Sequence, residues 1–109
     1  MNTILKCLFF VVGFAILFIG FVICHENTHK LVYEYYGINS DISYFTKGCW
    51  DDGAIACTTP NYENVTLDEQ TINSIIQTQS MNEIVSYPII FILLLNYSIL
   101  FWIIQKEVR

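Results

Sequence analysis

At 109 residues, with 54% hydrophobic and 14% charged side chains, the chain is too short for two independent globular domains and too apolar for an ordinary soluble one. Its net charge of −5 excludes the basic footprint of a nucleic-acid binder. Nine of the ten acidic residues fall between Glu26 and Glu83, so polarity is concentrated in the middle and the two ends are apolar.

The first element is a run without formal charge between Lys6 and Glu26, "CLFFVVGFAILFIGFVIC" followed by His25. It is close to the roughly 20 residues an α-helix needs to cross the hydrocarbon core. No small-x-small cleavage site follows it, so it reads as an uncleaved anchor rather than a secretory signal. "HENTHKLVYEYY" continues without Pro or Gly, and Gly37 is a credible C-cap, which predicts one helix from about residue 4 to residue 36. Gly13 and Gly20, seven apart, place small residues on one stripe where another helix could approach.

Residues 37–65 carry Gly48, Gly53, Pro60 and several Asn and Asp, and read as a polar loop with a β-like stretch at "DISYF". Cys49 and Cys57 bracket "CWDDGAIAC" and could close a disulfide in an oxidising compartment. Asn64-Val-Thr66 fits an acceptor sequon for N-glycosylation, a pattern also common by chance.

From Thr66 onward two capping boxes are legible, Thr66-Leu-Asp-Glu69 and Ser80-Met-Asn-Glu83. The first opens an amphipathic helix over 67–79, with Leu67, Ile72, Ile75 and Ile76 at helical spacing. The second opens another membrane-length run, uncharged between Glu83 and Lys106, with Pro88 as its kink or its true start. Asn96 is the strongly polar side chain within that run and is expected to seek a partner on the first helix or on another subunit.

The chain thus reads as an α-helical membrane protein. Two transmembrane helices form a hairpin around a polar, partly helical central loop, in three segments: 1–36, 37–65 and 66–109. Lys6, Lys106 and Arg109 flank the ends, so the positive-inside rule places both termini in the cytoplasm and residues 25–83 outside, against the vote of Lys30. The bilayer is then an obligatory partner.

His25-Glu-x-x-His29 carries the chemical signal, and these are the two histidines of the chain. At i and i+4 on a helix both imidazoles project from one face and can share a metal ion. The intervening Glu26 is placed as the general base of a zinc hydrolase, acting on water whose pKa the metal lowers to about 7. A catalytic zinc needs a third protein ligand, and with no third His the candidates are carboxylates: Asp52 first, then Asp51 or Glu34. The plain alternative for Asp51 and Asp52 is a solvated acidic turn.

The helix running into "HENTHKLVYEYYGINSDISYF" resembles the first signature of the site-2 protease family of intramembrane zinc metalloproteases. That signature is a membrane helix ending in His-Glu-x-x-His, then Gly eight residues on (here Gly37), then a β-like stretch. The resemblance covers about residues 10–48. It implies His25 and His29 as zinc ligands, Glu26 as catalytic base, and a third ligand from an Asp-Gly pair, for which this chain offers Asp52-Gly53.

Two classes of function follow. One is a membrane-bound, zinc-dependent, protease-like hydrolase cleaving a peptide or membrane-protein substrate near the membrane surface. The other is a non-catalytic two-helix protein, an accessory subunit or partner-binding module, presenting Gly13, Gly20 and Asn96 to a larger complex or to a second copy.

Overall fold

The computed structural model describes residues 2–107. Its elements in chain order are α1 (Thr3–Tyr35), β1 (Asn39–Tyr44), α2 (Lys47–Asp51), β2 (Ala56–Asn61) and α3 (Glu69–Glu107). The molecule is an antiparallel pair of long helices with a small β-hairpin packed against α1, and its longest dimension is 62 Å. At 1.5 Å per residue, α3 alone is about 58 Å long.

Asn2 caps α1, its side chain accepting from the Ile4 N–H at 2.9 Å. The far end closes as the sequence predicts. Gly37 takes a left-handed φ of +76°, its N–H reaches Glu34 O at 2.9 Å, and the Ile38 N–H reaches Tyr33 O at 2.9 Å. This paired closure satisfies carbonyls that the helix end would otherwise orphan. It also turns the chain so that Ile38, fully buried, starts the hairpin against α1.

Residues 69–107 form one continuous helix, not the two that the sequence suggests. The N-cap is Asp68, not Thr66; its carboxylate accepts from the Thr71 N–H at 2.8 Å, and hydrogen bonds from the Thr71 side chain and then its N–H hold the Asp68 carboxyl below its ordinary value. Ser80 and Glu83 do not cap anything; they lie mid-helix. A capping box is a local option, and here packing of the whole stretch against α1 overrides it. Pro88 likewise sits inside the helix, where it removes one backbone donor without ending the element.

Both long helices are apolar and long enough to cross a membrane, and the side chains of their most apolar windows face outward. Leu8, Val11 and Ile16 of α1 and Phe91, Leu95 and Leu100 of α3 are all exposed. The two helices meet through aromatic rings. Phe10 lies 5.4 Å from Tyr97 and 5.1 Å from Phe101, ring centre to ring centre. The Tyr97 hydroxyl donates to Phe10 O at 3.0 Å and rests directly over Gly13.

Gly13, Gly20 and Asn96 lie differently with respect to the contact between the two helices. Gly13 is in the helix contact, but Gly20 is exposed and faces open space, because no large side chain stands opposite it as Tyr97 stands opposite Gly13. Asn96 is exposed as well; the polar group that crosses to α1 is its neighbour Tyr97. One position along a helix is a rotation of about 100°, enough to move a side chain from the contact to the outside.

In the hairpin, β1 and β2 pair antiparallel from Asn39↔Asn61 to Tyr44↔Ala56. The "DISYF" stretch thus falls largely within a strand. Cys49 of α2 and Cys57 of β2 are joined as a disulfide, with Cα atoms 5.6 Å apart, and Cys49 is fully buried.

Gly13→Val inserts a branched side chain beneath Tyr97 and is expected to cost about 1–3 kcal/mol of stability. Gly20→Val, in open space, is expected to change it by no more than about 0.5 kcal/mol. Chemical unfolding in detergent micelles, followed by Trp fluorescence, measures both.

Candidate metal centre

His25 and His29 stand one turn apart on the face of α1 that meets α3, just where the uncharged run ends. Their rings are 4.7 Å apart and nearly perpendicular. The antiparallel register brings Glu83 of α3 opposite both. Glu83 Oε1 lies 3.0 Å from His25 Nε2 and 2.6 Å from His29 Nε2, and the two Nε2 atoms are 3.2 Å apart. Three ligand atoms therefore converge on one point, and among the described residues this is the group of His, Cys, Asp and Glu side chains that could hold a metal ion. Both imidazoles are nearly buried, whereas the carboxylate is partly open.

The donor set fits zinc. A tetrahedral zinc with bonds of about 2.0–2.1 Å holds its ligands about 3.3 Å apart, so the two imidazoles are already near that spacing and Glu83 must draw back from His29 to admit the ion. The Gln79 amide nitrogen donates to His29 O at 3.1 Å, which fixes the amide's orientation because a carbonyl can only accept. The Gln79 oxygen then faces His29 Nδ1, so Nδ1 carries the hydrogen and donates to it. His29 Nε2 is then the atom that faces Glu83: carrying a hydrogen it donates to the carboxylate at 2.6 Å, and without one it offers a lone pair that a metal ion can take.

Burial pushes the Glu83 carboxyl up. Hydrogen bonds from His29, Tyr87 and His25 outweigh it and hold the group below its ordinary value of 4.5, so it stands as a carboxylate beside the imidazoles. His25 Nδ1 is buried and has no hydrogen-bond partner among the described residues.

Glu26 points elsewhere. It is only 6% exposed, and its Oε2 accepts from the Thr58 hydroxyl at 2.6 Å. The same hydroxyl lies 3.2 Å from the Glu26 backbone oxygen. Thr58 follows Cys57 directly, so the disulfide-closed hairpin is what delivers this contact to α1. Beside Glu26 and His25 runs a largely apolar cleft of about 250 Å³, bordered by the Gly53–Ala56 turn on one side and by Tyr87 and Ile90 on the other.

The structure thus joins His25 and His29 as the sequence predicts and supplies a different third partner. The carboxylate is Glu83, not Asp52, Asp51 or Glu34. Asp52 is the exposed C-cap of α2, Asp51 ends that helix, and Glu34 is exposed on α1 well beyond the histidines. Gly53 does reach the cleft, but the Asp52 carboxylate is not part of the ligand group. Asn64 is exposed in a turn at φ +60°, so its sequon is accessible.

Sequence reasoning missed Glu83, Gln79 and Thr58. The first two did leave a signal: Gln79 and Glu83 are i and i+4, just before the second apolar run, mirroring His25 and His29 just after the first. Comparison with protein-family models, with curated proteins and with solved structures returns no match.

Thr58→Val strips a buried carboxylate of its hydrogen bond and is expected to cost about 1–3 kcal/mol of stability, whereas Thr58→Ser restores most of it. Denaturant titration of the three proteins side by side gives the comparison.

Proposed function

We propose that this chain is a membrane-embedded, zinc-dependent hydrolase of the metalloprotease type, cleaving peptide bonds at the membrane surface. The observation that carries the reading is the convergence of His25 Nε2, His29 Nε2 and Glu83 Oε1 at 2.6–3.2 Å, with Glu26 adjacent on the same helix. His₂Glu with an open fourth position is a catalytic zinc donor set. The third ligand differs from the Asp expected of the site-2 protease family, so the reading stands on the ligand chemistry rather than on that resemblance.

In this reading His25, His29 and Glu83 would hold the ion, which would supply Lewis acidity and make a hydroxide available near neutral pH. Gln79 fixes the tautomer and orientation of His29. Glu26 would serve as the general base, taking a proton from the attacking water and passing it to the leaving amine. Thr58 holds one Glu26 oxygen, leaving the other to take that proton. The adjoining cleft receives apolar side chains of the substrate.

The two long helices span the bilayer, with termini in the cytoplasm and the metal centre at the outer surface. The flanking lysines and the Cys49–Cys57 disulfide support that orientation. The tight Thr58–Glu26 bond favours a second reading, in which Glu26 is a tether between α1 and the hairpin, the metal is structural, and the chain serves a larger membrane complex.

Elemental analysis of detergent-purified protein is expected to find one zinc per chain in wild type, Glu26→Gln and Asp52→Asn, and none in Glu83→Ala. Gln79→Leu is expected to bind zinc about 10–100-fold more weakly. Absence of zinc from wild type and Glu26→Gln alike defeats the metal reading. With zinc retained, Glu26→Gln is expected to lower peptide cleavage by about 10²-fold or more. Cleavage that persists in this variant, or that wild type lacks on a broad peptide library, leaves the structural reading.

A further inference from the structure

The opposite end of the helix pair, remote from the metal centre, carries its own cavity. A space of about 480 Å³ opens there, lined by Thr3 and Lys6 of α1 and by Trp102, Gln105 and Lys106 of α3. Directly continuous with it is a second cleft of about 490 Å³, sharing Lys6, Trp102 and Gln105 and running inward along Cys7, Phe10 and Phe101. The outer part is cationic and polar. The inner part is almost wholly apolar and lies at the depth where both helices are uncharged.

Three features of this end are unusual in a chain of net charge −5. Lys6 and Lys106 stand on different helices beside the same cavity, and neither is in an ion pair among the described residues. The Lys106 ammonium is held 5.3 Å above the Trp102 ring, which keeps it at the cavity wall instead of free in water. The side-chain oxygen of Gln105 is buried and has no hydrogen-bond partner among the described residues. A buried acceptor without a donor is costly, so this oxygen suits a hydroxyl or ammonium donor at the cavity.

We propose that this end binds one anionic phospholipid of the phosphatidylglycerol type. Its phosphate sits between Lys6 and Lys106, a headgroup hydroxyl donates to Gln105, and one acyl chain lies in the cleft along Phe10 and Phe101. The assignment takes the two helices as membrane spans, as proposed above. A free phosphate matches the lysines but leaves the apolar cleft unfilled. A zwitterionic lipid fills the cleft but brings a second cation toward the lysines. The anionic phospholipid satisfies cations, acceptor and cleft at once.

Native mass spectrometry of the detergent-solubilised full chain, titrated separately with phosphatidylglycerol, phosphatidylcholine and inorganic phosphate, tests the proposal. The expected result is one retained phosphatidylglycerol, preferred about tenfold or more over phosphatidylcholine, with no retained phosphate, since each lysine near a membrane surface contributes several-fold to binding an anionic lipid. Lys6→Gln/Lys106→Gln is expected to abolish the preference, and Lys6→Arg/Lys106→Arg to keep it; far-UV circular dichroism verifies that both variants fold. Equal retention of the two lipids, an unchanged preference in the glutamine variant, or retention of phosphate alone overturns the site. If the chain leaves the membrane fraction in alkaline carbonate without detergent, the membrane reading falls with it. A chain that stays with the membrane yet shows no lipid preference overturns this proposal alone.

Discussion

Everything in this molecule depends on the antiparallel register between α1 and α3. His25 faces Glu83, His29 faces Gln79, and Phe10 faces Tyr97. The aromatic contacts and the Tyr97 hydroxyl set the register within the apolar part. The imidazole–carboxylate cluster and the Gln79 amide set it at the exit. The polar cross-links and the close backbone approach at Gly13 are directional where apolar packing is not, so they do most of the specifying.

The β-hairpin is the second layer of that design. It buries little, but what it buries is placed with purpose: Ile38 at the helix end, the Cys49–Cys57 bridge, and Thr58 on Glu26. Without the hairpin Glu26 would be one more acidic residue on a helix surface. With it, the carboxylate is withdrawn from water and fixed on Thr58, along the cleft that His25 also borders. The same loop carries the Gly53–Ala56 turn that forms one wall of the cleft.

The parts legible in the sequence were those governed by local periodicity. The two apolar runs, the i, i+4 histidines, the Gly37 closure and the nearest-neighbour cysteines all follow from residues within a few turns of one another. Glu83 did not, because its partnership with the histidines spans 54 and 58 residues and exists only in the tertiary register. Its local context also argued for something else, since Ser80-Met-Asn-Glu83 reads as a helix start. Asn96 and Gly20 lie outside the α1–α3 contact for a related reason. Composition marks which residues are polar or small, but the rotation of the helix about its axis decides which of them face the partner.

That sequence separation has a temporal consequence. The nascent chain meets His25 and His29 long before Glu83 exists, and the point between them is complete only when the second helix has been laid antiparallel to the first. The ligand triangle is therefore a closure that forms late, after both long helices and the intervening hairpin are in place. A cation bound there would lock an assembled hairpin rather than guide its assembly, and would mark a finished molecule from one still being built.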